Sequence, residues 1–431
     1  MKADVLRTVF RTSSIYLVFT LLNRAIPFLL IPLLTRYIEP RGYGIISLLG
    51  VVTTMAMPLI GLCSNTVLFQ RYNQLPSGQR ALLVNDCYKV VLAGAGIAVA
   101  VAPVFAVPLR QYMGIQLFWF EVALITSAAG MVLTLALALC QIKMQPVPYG
   151  LLQTASSLTN VVLTILLVVV LEQSWQGRLS AICLAGVAVA LISVYVNHRN
   201  GDLDFSRLLQ ASQLKNIVRL GSALIPSTIA GGVIAMSDRF FLGAMTTMTV
   251  VGIYAVGVSF AQVTDILLNS LNQACLPYLY KHGHSDDRTT RIRIVQGVYA
   301  VAFISFAVAL LVTLVAPIVI DYMVDARYHD AKHVVGWLSL SFAFVSIGSA
   351  FQGLILIVER NTATAYISVA ALMVNLLGTY VLVGRFGMVG AAMGVALGSL
   401  MSLLLHIAAS FKYNNLPWLD PDVFRLSATY S

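Results

Sequence analysis

Few residues of this chain can do chemistry, and most of those lie inside long apolar runs. Arg24 sits near the middle of the first run, with Tyr16, Thr20, Asn23 and Pro27 on or beside its face at helical spacing. An arginine at the centre of a bilayer costs about 2.5–3.5 kcal/mol on insertion scales, so Arg24 requires a partner or a wet cavity. It either binds an anionic ligand or forms a structural ion pair. Asp265 is the only acid near the centre of a run. Gln262, Asp265, Asn269 and Asn272 recur at 3–4–3 spacing and form one polar stripe on a helix. Asp265 pairs with Arg24, or it carries a proton or Na⁺. Asp238 and Arg239 lie one turn inside the end of another run, where Arg239 can snorkel to the interface and Asp238 either neutralises it or joins Asp265 as an ion-coupling candidate. Glu121 lies beside Trp119 near a run end, which suits the interface and leaves it a third candidate. Gln153, Ser156, Ser157, Asn160 and Thr164 share a helical face, and Asn375 and Thr379 share another. Both sets suit hydrogen bonds to a polyhydroxylated ligand and suit bonds between helices equally well.

The elements that must position these groups follow from composition. The chain has 431 residues, 59% hydrophobic and 10% charged. A soluble domain carries about 25% charged residues. The apolar residues come in runs of the length that a bilayer core demands of a helix, roughly 20 residues. The expectation is an all-α integral membrane protein with about twelve spans. They are placed near 12–34, 43–69, 84–108, 117–140, 149–171, 178–196, 217–242, 250–276, 294–319, 334–357, 362–383 and 388–410. Lys2, Arg7 and Arg11 precede the first run, which is too long for a signal peptide and lacks an A-x-A-like cleavage site. It reads as a retained first span. The N-terminus, the 197–216 segment and the 277–293 loop are rich in Lys and Arg and fall on one side. The positive-inside rule makes that side cytoplasmic and, with an even span count, returns the C-terminus to it.

The hydrophilic segment near 201–216 divides a six-helix bundle, residues 1–200, from a second, residues 217–410, with a cytoplasmic tail at 411–431. A faint repeat accompanies the division: Gly44-Ile45 and Gly252-Ile253 each open the second helix of their half. Transporters are often built from such repeats, with the site between them.

Several classes are excluded by what is missing. The net charge of +10 has no basic stripe interleaved with aromatics, so no nucleic acid is expected as a partner. There is no G-x-x-x-x-G-K-[ST] loop for ATP and no G-x-S-x-G nucleophile. No His, Cys or carboxylate cluster has metal-ligand spacing, and the five cysteines read as small buried hydrophobes. The expectation is a transporter rather than an enzyme, without a resident cofactor.

Three stretches carry a family likeness: IPLLTRYIEPRGYGIISL at 31–48, IPSTIAGGVIAMSDRFFL with VGIYAVGVSF within 225–260, and VNLLGTYVLVGRFGMVGAAMGVALGS at 374–399. With the twelve-span layout, the chain resembles Wzx-type polysaccharide repeat-unit flippases of the multidrug/oligosaccharidyl-lipid/polysaccharide exporter superfamily. The resemblance implies a MATE/MOP-like fold, two pseudo-symmetric six-helix bundles around a central cavity with alternating access. It implies a bacterial inner-membrane protein that flips undecaprenyl-pyrophosphate-linked oligosaccharide, an O-antigen or related unit, to the periplasmic leaflet. It also implies an H⁺ or Na⁺ gradient as energy source, and contacts with membrane lipids, a polysaccharide polymerase and a chain-length regulator. Arg24 and Arg239 then face the pyrophosphate, with Asn23, Asn160 and Asn269 lining the cavity. The alternative is a cation-coupled multidrug exporter of the same fold.

Overall fold

In the computed structural model, the described residues are 19, 23, 26, 28–113, 116–203, 211–282, 287–358, 361–414, 416–418 and 420–423. Among them the chain is helical, without strands. The helices are α1 (Ile31–Tyr37), α2 (Pro40–Gly61), α3 (Ser64–Arg71), α4 (Ser77–Met113), α5 (Leu117–Ile142), α6 (Pro146–Thr164), α7 (Ser174–Arg199), α8 (Ala211–Met245), α9 (Met248–His282), α10 (Arg288–Met323), α11 (Lys332–Ile357) and α12 (Asn361–Tyr413). Nine of the described helices are long and apolar enough to cross a membrane. In lipid only such closed hydrogen-bonding elements can span, because no water is present to satisfy an open backbone.

Two spans differ from their sequence expectation. The expected 43–69 helix breaks into α2 and α3 because Leu62 and Cys63 adopt left-handed conformations, φ 46° and 49°. The break follows Pro58, which lacks an N–H donor, and it turns the Leu62 carbonyl toward α8 at Gly221. The helix expected at 178–196 begins a turn earlier, at Ser174, so Arg178 lies one turn inside it rather than at its first position. The stretches expected at 362–383 and 388–410 are the two helical arms of α12, between which the chain reverses at Gly387, φ 55° and ψ −129°.

That reversal is packed through glycine. A Cβ on Gly390 would lie 2.0 Å from the Leu382 carbonyl oxygen, one on Gly394 2.4 Å from Thr379 Oγ1, and one on Gly398 2.6 Å from the Asn375 Cβ. The G-x-x-x-G-x-x-x-G face therefore lets the two arms of α12 touch, as small residues do between spanning helices.

The described fold forms two compact units, one of residues 1–236 with 247–252, the other of 237–246 with 253–431. In the first, α2, α4 and α5 surround a core that includes Leu68, Leu83, Val91, Met131 and Leu135. The matched glycines meet here: Gly44 would press its Cβ against the Met248 carbonyl oxygen at 2.0 Å, and Gly252 against that of Pro40 at 1.8 Å. Lys143 pairs with Asp202, and Asn197 donates to the Tyr88 hydroxyl at 3.0 Å, tying the end of α7 to α4 and α5. In the second unit the residues after α12 pack back onto α10 and α11. Trp418 lies 5.3 Å from the Phe351 ring and its carbonyl accepts from Tyr299 at 2.8 Å.

Gly394→Leu should destabilise the protein by at least the 1–3 kcal/mol of core overpacking. Gly297→Ala meets nothing within 4 Å and should leave stability level or raised. Thermal melts of both variants in detergent check the pair.

Candidate functional site

The polar residues of the spans gather in separate places, each held between neighbouring helices. In the first unit the line runs along α6. Asn23 is buried, and its Nδ2 donates to the Phe19 carbonyl at 2.7 Å and to Thr154 Oγ1 at 3.3 Å. Its Oδ1 and the Gln153 Oε1 are buried without a hydrogen-bond partner. A turn and more further along, Asn160 Oδ1 accepts from Arg178 Nη1 and from Thr164 Oγ1, the latter at 3.2 Å. Thr164 Oγ1 also donates to the Asn160 carbonyl at 2.6 Å and accepts from Arg178 Nη1.

Local backbone builds this cluster. After Thr164, residues Ile165–Val170 form a π-helix, a wide turn found often at functional sites. Glu172 and Ser174 then take positive φ, 51° and 50°. Gly177 lets α7 close on the π-helix, since a Cβ there would lie 2.9 Å from the Leu167 carbonyl oxygen. The next residue, Arg178, is thereby delivered to α6.

In the second unit the cluster lies on α8, α9 and α12. Asp238 is 5% exposed. Its Oδ2 accepts from the Tyr254 hydroxyl at 2.6 Å and its Oδ1 from the Arg239 backbone N–H at 2.8 Å. Adjacent residues of a helix do not share a face, so carboxylate and guanidinium diverge. Arg239 is half-buried, with its Nε buried and unpartnered. One residue before, Ser237 donates to Asn375 Oδ1 at 2.8 Å. Thr379, one turn beyond Asn375, is fully buried against Gly394.

The stripe on α9 is divided by its neighbours. Gln262 is exposed, and Asp265 and Asn269 are half-buried. Asn269 Oδ1 accepts from Gln273 at 3.1 Å. Asn272 donates to Ser346 Oγ at 2.9 Å, which in turn shares a 3.0 Å bond with Ser305. Glu121 is half-buried near the start of α5, beside a Trp119–Trp175 ring pair 5.1 Å apart. Arg24 lies outside the described residues. No group of three potential metal ligands occurs among the described residues, and the five cysteines are free.

Sequence reading named Asn160, Asp238 and Asn375 but not Arg178, Tyr254 and Ser237, which bond them. Arg178 was hidden by its nearness to a span end, and Tyr254 and Ser237 by the ordinariness of such residues in helices. The one usable signal for Arg178 was the i, i+4 pair Asn160 and Thr164 on the preceding helix.

The described residues thus form a multi-pass helical bundle whose polar clusters are held between neighbouring helices. Residues 9–282 match the model of the family described as polysaccharide biosynthesis protein, and the chain belongs to that family. It is 25% identical over 273 residues to an uncharacterized membrane protein of Haemophilus influenzae, covering 63% of this chain and 65% of the relative's length. Among solved structures, a multidrug resistance MATE family transporter of the MOP superfamily, in an inward-facing conformation, aligns with TM-score 0.75 at 13% identity. It covers 90% of this chain and 94% of the other. The lipid II flippase MurJ, inward closed, aligns with TM-score 0.65 at 10% identity, over 92% and 89%. The fold is MATE/MOP-like.

Tyr254→Phe removes a donor from a buried carboxylate and should lower stability by about 1–3 kcal/mol. In the double variant with Asp238→Asn the two losses should fall well short of additive. Unfolding of the four proteins in detergent measures the coupling.

Proposed function

We propose that the protein is a flippase for lipid-linked oligosaccharides. It carries repeat units on undecaprenyl pyrophosphate from the cytoplasmic to the periplasmic leaflet of a bacterial inner membrane. The observation that carries this reading is the match to the polysaccharide biosynthesis family over residues 9–282 on a MATE/MOP-like fold. The name of one structural neighbour, a lipid II flippase, supports the same class of cargo.

The chemistry is consistent with an anionic head. Moving a pyrophosphate through a low-dielectric slab needs fixed cations, and arginine meets phosphate oxygens with two parallel donors. Arg24 and Arg239 are the cations proposed to follow the head, while the lipid tail stays among lipids. Asn23 and Asn269 offer amides to sugar hydroxyls. Alternating access moves the site from one face to the other, with both chain termini cytoplasmic. A polymerase and a chain-length regulator receive the product.

Energy comes from an H⁺ or Na⁺ gradient, and Asp238 is the proposed coupling group. It is a buried carboxylate whose oxygens accept from neutral donors only. Carboxylates inside membrane spans mark ion pathways and proton relays.

The test is transport in proteoliposomes loaded with a fluorescent undecaprenyl-pyrophosphate-linked oligosaccharide. Appearance of the glycan in the opposite leaflet, driven by an imposed H⁺ or Na⁺ gradient, is the expected result. Asp238→Asn should abolish gradient dependence, and Arg24→Ala should abolish transport while the protein still inserts. An unaltered leaflet distribution with folded wild-type protein overturns the reading. A second reading, cation-coupled drug export, draws on the fold of the multidrug transporter neighbour. It requires that overexpression lower the accumulation of cationic dyes.

A further inference from the structure

The guanidinium of Arg178 is placed for a ligand that the fold itself does not supply. Arg178 is half-buried in α7, one turn in from the connection to α6. An arginine so near a span end usually extends toward the interface. This one turns the other way, because Asn160, one of its two acceptors, lies a turn further from the connection than Thr164. On α6, the π-helix and α7, Val161, Val168 and Trp175 join an apolar cluster with Tyr43.

Both acceptors are neutral. Nη1 alone is engaged, by Asn160 Oδ1 and Thr164 Oγ1. No carboxylate pairs with Arg178 among the described residues, and Tyr43 is the one titratable group that acts on it. The charge is thus held in place without being neutralised. Intramembrane cations normally have a counter-charge. The remaining nitrogens, Nε and Nη2, share one edge of the guanidinium and make no hydrogen bond among the described residues. That edge is the two-donor fork that meets two oxygens of one phosphoryl group.

Its anchors fix the direction of the fork. The single hydrogen of the Thr164 hydroxyl is directed to Asn160, at its carbonyl or its Oδ1, so its lone pairs face Arg178. Asn160 likewise turns its oxygen, not its NH₂, toward the arginine. The π-helix and Gly177 hold α6 and α7 at the separation that this bonding needs.

We propose that Arg178, positioned by Asn160 and Thr164, is an anion site of the first unit that binds a phosphoryl group of a membrane lipid. Resting on the flippase reading, that lipid is the polyprenyl pyrophosphate carrier. Asn160 is then a positioning residue rather than a sugar ligand.

The test uses the full chain in phosphatidylcholine nanodiscs containing undecaprenyl pyrophosphate, phosphatidylglycerol or neither, with lipid retention read by native mass spectrometry. Wild-type protein should retain undecaprenyl pyrophosphate. Arg178→Gln should weaken retention about tenfold or more, a difference of about 1.4 kcal/mol. Arg178→Lys, which keeps the charge and loses the fork, should fall between, as should Asn160→Ala. Phosphatidylglycerol retained with the same dependence on Arg178 also supports the anion site, and assigns it to a phosphodiester headgroup. Equal retention by wild type and Arg178→Gln overturns the proposal, as does retention of neither lipid by the wild type. Should the Gln variant fail to fold, Arg178→Lys and Asn160→Ala decide, and wild-type retention in both overturns it. Failure of the flippase reading is distinct: there the wild type moves no glycan, whatever it retains.

Discussion

A polar group inside the membrane is costly unless it finds a partner, and much of the described structure is organised by that cost. Several spans are bonded to a neighbour through an amide, hydroxyl or charge: Asn23 to Thr154, Arg178 to Asn160, Asp238 to Tyr254, Ser237 to Asn375, Thr264 to Ser339, Asn272 to Ser346. Apolar contact alone distinguishes poorly between one helix neighbour and another when the lipid is equally apolar. These bonds, with the glycine faces, supply what the hydrophobic effect supplies in water. Where a glycine is needed, it is needed by distance. The paired approach of Gly44 and Gly252 leaves no room for a methyl on either side.

How much of this was legible beforehand depended on the kind of signal. Span existence was legible, because a run of about twenty apolar residues has few other uses. Breaks within spans were not. Leu62 and Cys63 carry no mark of a left-handed turn, and the strain there is imposed by tertiary packing around Pro58 and Gly221. The polar segment near 201–216 suggested a division there, whereas the first compact unit extends through residue 236, within α8. The repeat at Gly44 and Gly252 was visible only as a dipeptide, and its meaning lay in three dimensions.

The site residues show the same limit. A lone polar residue in a span announces that it has a partner but not which. Helical spacing placed Gln262, Asp265, Asn269 and Asn272 on one stripe, whereas their neighbours divide that stripe into an exposed part and a part bonded to α11. Spacing along one helix records a face; it holds no record of what packs there. Arg178 was the opposite case. Its position near a span end fitted an interfacial role, and only the geometry of α6 draws it inward.

The two described clusters differ in a way that bears on mechanism. That of the first unit holds a fixed cation among neutral acceptors. That of the second holds a buried carboxylate among neutral donors. In the flippase proposal the arginine serves the anionic head and Asp238 serves the gradient. Arginine does not lose its proton in a protein, so the first cluster can change its charge only by binding or releasing a ligand.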